Sequence, residues 1–163
     1  MFNTNSSIRK IIKFLFSCVL VVFVVSTAQA SGPETTPRHH IKDGLAIYLG
    51  MLPAEMIEGH TARSMHGGLP TGPYRYHLTI AIFDDKTGKR VNNAKVMIRV
   101  NNRIGVGPDT FKELEGMKLN EQYMYGNYFL FKTAGPYRID VKVIRSKTNK
   151  PIHVSFDYDF AQT

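Results

Sequence analysis

Six histidine and methionine side chains are the residues of this chain best suited to bind a metal ion. His60, Met65 and His66 lie within one stretch of seven residues in a glycine-rich segment. His77 opens the strand-like run that follows, and Met117 and Met124 lie on either side of an expected strand connection. Thioether sulfur is a soft ligand and imidazole binds several transition metals, so this donor set suits copper first and iron second. The predicted metal ligands are His60, Met65, His66, His77, Met117 and Met124.

The same side chains have a second interpretation. Imidazoles can fix a loop by hydrogen bonding, and methionine commonly fills gaps in a protein core. The chain contains no Cys-x-x-Cys or His-x-x-x-His spacing that would favour the metal site over this alternative. Both interpretations therefore stay open at the level of sequence.

Catalysis is disfavoured by the residues available. The single cysteine, Cys18, lies in an apolar run near the N-terminus, and the serines do not occur in a nucleophile-elbow pattern. A phosphate-binding glycine loop between a strand and a helix is also missing from the sequence. We predict that the protein is not an enzyme.

Residues 1–30 have the pattern of a cleavable secretory signal peptide. Basic residues at positions 9, 10 and 13 precede an apolar run over 14–25, and Ala28-Gln29-Ala30 supplies a small-residue cleavage site. The apolar run is too short for a membrane-spanning helix, which needs about 20 residues. We therefore predict cleavage after Ala30 and export to the periplasm, with an uncleaved anchor as the alternative.

Cleavage would change the chemistry of the remaining chain. It removes three of 21 basic residues, none of 13 acidic residues and the only cysteine, so the formal net charge falls from +8 to +5. The remaining charge is scattered without a run of five like residues, which disfavours nucleic acid as a partner. Residues 31–163 suit one domain that folds on its core without a disulfide.

Hydrophobic alternation with period two predicts an all-β fold. We expect a flexible arm over 31–43 and an immunoglobulin-like β-sandwich of about seven strands over 44–163. Residues 53–57 are expected to form one helical turn, and 58–74 a long loop. The strands around 76–82 and 94–100 are expected to pair as a hairpin. The expected strands are 44–52, 76–82, 94–100, 112–119 (interrupted at Gly116), 123–132, 137–143 and 152–160.

Four segments carry a resemblance to a group of exported proteins. They are Ser64-Met65-His66-Gly67-Gly68, residues 77–84 (HLTIAIFD), residues 125–129 (YGNYF) and residues 135–141 (GPYRIDV). With the signal pattern, they resemble small bacterial periplasmic metal-handling proteins of the copper-resistance C and YtkA/FixH-like type, and periplasmic accessories of ferrous iron transport.

The resemblance covers about residues 44–160. It implies an immunoglobulin-like fold and an exported accessory that binds or delivers metal. In the copper-resistance relatives a histidine at the mature N-terminus belongs to the metal site, whereas this chain begins there with Ser31-Gly32-Pro33.

Two functional hypotheses follow, with a minor third. The first is a periplasmic protein that binds or traffics copper, or less favourably iron, with a periplasmic or inner-membrane protein as partner. The second is a binding or assembly module without metal, in which the methionines and histidines only pack. The third is a ligand-binding sensor domain. The distances among the six candidate ligands distinguish the first two hypotheses.

Overall fold

Nine β-strands form two antiparallel sheets in the computed structural model, which describes residues 38–57, 66–68, 70, 72–105, 110–119, 121–146 and 148–161. All of these residues belong to one compact unit, Thr35–Thr163. The strands are β1 (His39–Lys42), β2 (Leu45–Pro53), β3 (Arg75–Asp84), β4 (Ala94–Asn102), β5 (Lys112–Glu113), β6 (Glu115–Leu119), β7 (Gln122–Leu130), β8 (Gly135–Arg145) and β9 (Pro151–Phe160).

The strand order is that of an immunoglobulin-like sandwich. One sheet has the order β1-β2-β3-β7-β6 and the other β5-β4-β8-β9. Strands β2, β3, β7 and β6 correspond to the A-B-E-D sheet of a constant-type domain, and β4, β8 and β9 correspond to its C-F-G sheet. The predicted all-β sandwich is confirmed.

The core lies between the two sheets and follows the alternation seen in the sequence. On β3, Leu78, Ile80 and Ile82 are buried, and alternate residues of β4, β8 and β9 face them. Burying one such side chain stabilises the fold by about 1.5–3 kcal/mol. Because the intervening residues point the other way, each sheet also has an outer face, and the outer face of the five-stranded sheet carries the candidate ligands.

The chain forms a strand where we predicted a flexible arm. Residues His39–Lys42 are β1 and pair with β2 at the edge of the five-stranded sheet. Asp43 and Gly44 connect the two strands, and both have positive φ angles of 49° and 75°. Two such residues form the tight turn that matches the twist of a hairpin, and Asp-Gly is a preferred sequence for it.

The predicted hairpin between β3 and β4 is wrong. β3 pairs with β2 and β7, whereas β4 pairs with β5 and β8 in the other sheet. The segment between them crosses from one sheet to the other, with one isolated bridge between Phe83 and Arg90. Alternation showed which residues are buried, but it carries no information on which strand is the neighbour.

A second crossover lies near the predicted strand over 112–119. The interruption occurs at Leu114 and not at Gly116, because β5 belongs to the four-stranded sheet and β6 to the other. The Leu114 side chain is buried, and its backbone N–H donates to the carbonyl of Val96 at 2.8 Å.

The predicted helical turn is present as a 3₁₀ turn over Ala54–Ile57.

No helix in the described part of the chain is long and apolar enough to cross a membrane. Residues 1–30 lie outside the described ranges. The signal peptide therefore stays a prediction.

Tyr137 supplies a further feature of immunoglobulin-like sandwiches. It lies near the start of β8, and its hydroxyl donates to the backbone carbonyl of Thr133 at 3.0 Å and accepts from the Thr133 N–H at 3.3 Å. Its ring packs against Phe131 with centroids 4.8 Å apart. This arrangement is a tyrosine corner, in which a tyrosine at the start of the penultimate strand ties down the preceding loop.

We expect Tyr137→Phe to lower the free energy of unfolding by about 1 kcal/mol, because it removes these hydrogen bonds and keeps the ring. Chemical denaturation measures the difference. Tyr48→Phe is the control, since the ring of Tyr48 packs between His39 and Phe83 on the surface. Equal effects of the two substitutions would contradict the role given to the Tyr137 hydroxyl.

Candidate metal centre

The candidate ligands on the strands share one face of the five-stranded sheet. In the β3–β7 ladder His77 lies opposite Tyr128, and in the β6–β7 ladder Met117 lies opposite Met124. Side chains at alternate positions point to the same face, so His77, Met117, Met124 and Tyr128 all project from the outer face of this sheet. Gly126 lies between them on β7 and pairs with both neighbouring strands.

Gly126 leaves a gap that two of these side chains fill. A Cβ atom at this position would lie 2.7 Å from Nε2 of His77 and 3.0 Å from Sδ of Met117. An imidazole nitrogen and a thioether sulfur therefore both lie within 3.0 Å of one point above the backbone. The absence of a side chain at Gly126 thus permits this close approach to the backbone of β7.

His66 approaches the same face from a left-handed turn. The φ angles of His66, Gly67 and Gly68 are 61°, 78° and 97°. Glycine adopts this conformation without cost, whereas a histidine in it stores backbone strain. The side chain of His66 is fully buried, and its backbone N–H donates to Oε2 of Glu115 at 3.1 Å. Glu115 thus anchors the turn to β6.

The two imidazoles meet above the sheet. Nε2 of His66 lies 3.2 Å from Nε2 of His77, a distance at which one ring donates a hydrogen bond and the other accepts it. Tyr128 packs against both rings, with centroids 5.0 Å from His77 and 5.7 Å from His66. The aromatic contacts hold the two nitrogens in place.

The second nitrogen of His66 faces a carboxylate. Nδ1 lies 3.1 Å from Oε2 of Glu115, within ion-pair distance, but it is buried and not aligned for a hydrogen bond. A carboxylate beside Nδ1 favours the tautomer that carries its proton there. In that tautomer Nε2 presents its lone pair to the site, as in many carboxylate–histidine pairs at metal centres.

The environment of His77 keeps its imidazole neutral. Burial lowers the pKa of His77 to about 4, and the charge of His66 acts in the same direction. Only 3% of the residue is exposed. At neutral pH the ring therefore carries a single proton, and its Nε2 can act as a ligand once that proton moves from Nε2 to Nδ1.

The structure brings together three of the six predicted ligands, His66, His77 and Met117. Met124 lies beside Met117 on the same face and is half-buried. His60 and Met65 lie outside the described residues. Within the described ranges, no group of three or more His, Cys, Asp or Glu side chains could hold a metal ion, so a centre built from these residues needs methionine sulfur.

Two contributors were missed in the sequence. Glu115 lies in a segment whose pattern was ambiguous, and Tyr128 belongs to an aromatic strand whose residues all suit packing. The hydroxyl of Tyr128 is buried, and no described residue forms a hydrogen bond with it. Neither residue has a sequence signal of its own, because both act through their position beside the histidines.

The lowered pKa of His77 predicts how stability depends on pH in the metal-free protein. In the unfolded chain the imidazole binds a proton below about pH 6.5, whereas the folded protein resists protonation until about pH 4. The free energy of unfolding should therefore fall as the pH drops from about 6.5 to about 4. His77→Gln should remove this part of the fall, and an NMR titration should show His77 titrating near pH 4. A His77 titration near its ordinary value would contradict the geometry.

The chain matches no family model, and no curated protein is similar to it in sequence. Solved structures with the same fold include FetP from uropathogenic Escherichia coli strain F11, at 14% identity and a TM-score of 0.61, covering 77% of this chain and 93% of that chain. P19 from Campylobacter jejuni, solved after copper reconstitution, matches at 12% identity and a TM-score of 0.62, covering 77% and 94%.

A DUF4426 family protein from Pseudomonas aeruginosa matches at 15% identity and a TM-score of 0.57, covering 75% of this chain and 92% of that chain. A variant of FetP was solved with bound copper, and FetP itself was expressed in the periplasm. At these identities the comparisons show the fold. They confirm at that level the predicted resemblance to immunoglobulin-like metal-handling proteins of the periplasm.

Proposed function

We propose that this protein is a periplasmic copper-binding accessory whose metal centre is formed by His66, His77 and Met117. The observation that carries the proposal is the position of Nε2 of His77, which lies 3.2 Å from Nε2 of His66 and shares the gap above Gly126 with Sδ of Met117. Its role would be to hold the ion and pass it to a periplasmic or inner-membrane partner protein.

The spacing of the two imidazoles supports a shared ion. Two nitrogens bound about 2.0 Å from one tetrahedral ion lie about 3.3 Å apart. The 3.2 Å between the two Nε2 atoms needs little adjustment to reach that geometry. An ion would replace the hydrogen bond between the rings without moving the strand that carries His77.

The donor types favour copper over iron. Thioether sulfur selects Cu(I), whereas iron is served as well by imidazole and carboxylate alone. Burial of the donors keeps water away from a soft ion, and because His77 is neutral at physiological pH its Nε2 needs only a change of tautomer to bind. Iron remains the second ion to test.

The sequence and the solved structures of the same fold support a periplasmic location. Residues 1–30 carry the signal pattern, and the fold is shared with copper-bound structures, one of a protein expressed in the periplasm. The described residues near the centre are donors and packing groups without a nucleophile aligned to a base. An accessory that carries metal fits this arrangement better than an enzyme.

The alternative is a module without metal, in which the hydrogen bond between His66 and His77 only closes the turn onto the sheet. In that case the exposed apolar residues of the same outer face, Ile41, Tyr48 and Leu52, would serve a protein partner. Direct metal binding separates the two functions.

Titration of the purified mature protein with Cu(I), in competition with bicinchoninate, tests the proposal. We expect one tightly bound ion, and we expect His66→Ala and Met117→Leu each to weaken binding by at least about tenfold. Met97→Leu and His153→Ala are matched controls, because both residues lie on the four-stranded sheet. Equal affinity of the wild-type protein and both ligand variants would remove the assignment.

Gly126→Ala tests the same centre without changing a ligand. The added methyl group would overlap Nε2 of His77 and crowd Sδ of Met117, so both donors must move and Cu(I) affinity should fall by at least about tenfold. Gly105→Ala is the control, because a Cβ there meets nothing within 4 Å. Unchanged affinity in a folded Gly126→Ala protein would show that the ion binds elsewhere.

A further inference from the structure

A groove of about 810 Å³ lies beside the free edge of β7, away from the imidazole pair. It exists because two short strands end early. β6 pairs with β7 only as far as Gly126, and β5 pairs with β4 only at Met97 and Ile98. Beyond these points, in the described part of the chain, no strand covers this side of β7 and β4.

The lining of the groove combines positive charge with apolar surface. Arg75, Lys112 and Lys132 contribute the charge, and none of the described lining residues is acidic. Arg75 and Lys132 also interact with other groups of the protein, so Lys112 is the cation that a ligand would meet. The apolar surface comes from Phe129 and Leu130, because Ile98 and Val100 are almost completely buried. Ligand sites of small molecules have this size and this mixture of apolar walls with a few placed polar groups.

Lys112 is held at the edge of the groove. Its Nζ donates to the backbone carbonyl of Tyr128 at 3.0 Å and lies 5.4 Å from the centre of the Phe129 ring. Burial lowers the pKa of Lys112, and the negative charge of Glu115 opposes that shift. The ammonium group is therefore held in a fixed position at the groove, where an anion would accept a charge-assisted hydrogen bond from it.

We propose that this groove binds a small organic anion, in which a carboxylate, sulfonate or phosphate group meets the ammonium group of Lys112 and an apolar body lies against Phe129 and Leu130. The site is separate from the proposed copper centre and does not depend on it. None of His66, His77 and Met117 lines the groove, although Tyr128 lines it and also packs against His77.

Two fluorescent dyes that differ in one group provide the test. Anilinonaphthalene sulfonate carries an anionic group on an aromatic body, and phenylnaphthylamine is the same body without the sulfonate. We expect the sulfonate dye to bind the folded wild-type protein more tightly than the neutral dye by about tenfold, and its affinity to fall as salt is raised. Near-UV circular dichroism checks that each protein is folded.

Substitutions identify where on the protein the sulfonate dye binds. Lys112→Met should weaken the sulfonate dye by about tenfold and leave the neutral dye unchanged. Lys150→Met is the matched control, because Lys150 is an exposed residue of the turn between β8 and β9. Equal binding of the two dyes, or wild-type affinity in the folded Lys112→Met protein, would overturn the proposal.

Cu(I) binding can be measured separately on the same set of variants. The double variant His66→Ala/Met117→Leu should keep wild-type affinity for the sulfonate dye while losing Cu(I). Loss of dye binding in that folded double variant would also contradict the proposal, because the groove would then depend on the metal site. Failure of either proposal is therefore visible without failure of the other.

Discussion

The missing side chain at Gly126 is the constraint on which the candidate centre depends. Because the backbone of β7 is bare at this position, the imidazole of His77 and the sulfur of Met117 can occupy the same small volume above it. A larger residue would separate them. The left-handed turn at His66 then adds a second imidazole from above, and its strained backbone is held by Glu115. The centre is thus assembled from one glycine on β7, the two strands that flank β7 and the turn that Glu115 anchors.

The sandwich topology brings together residues that are far apart in the chain. His77 and Met117 are separated by 40 positions in sequence, yet their strands both flank β7. This adjacency arises because the chain leaves the five-stranded sheet after β3, builds β4 and β5 in the other sheet, and returns through β6. The crossover at Leu114 therefore matters for the candidate centre, since it places Glu115 and Met117 on the outer face beside Gly126. The same early ending of β5 and β6 leaves the cationic groove open.

The sequence predicted the elements of this fold better than their arrangement. Alternation identified the buried faces of β3, β4, β8 and β9, and the residue types His and Met at positions 66, 77 and 117 indicated candidate donors, whose binding of a metal stays a prediction. Pairing was mistaken for β3 and β4, because two adjacent alternating runs look the same whether they share a sheet or face each other. Strand β1 was missed because a polar sequence can pair at an edge when an Asp-Gly turn directs it. Glu115 and Tyr128 could not be recognised, since their roles come from contacts that only the folded chain creates.

X-ray absorption at the copper edge of the Cu(I)-loaded protein tests the central claim most directly, because it identifies the atoms bound to the ion. A centre formed by His66, His77 and Met117 predicts one sulfur and two imidazole nitrogens around copper in the wild-type protein. It also predicts that the sulfur signal disappears in Met117→Leu. A spectrum with nitrogen and oxygen neighbours only, or a sulfur signal that persists in Met117→Leu, would contradict the account.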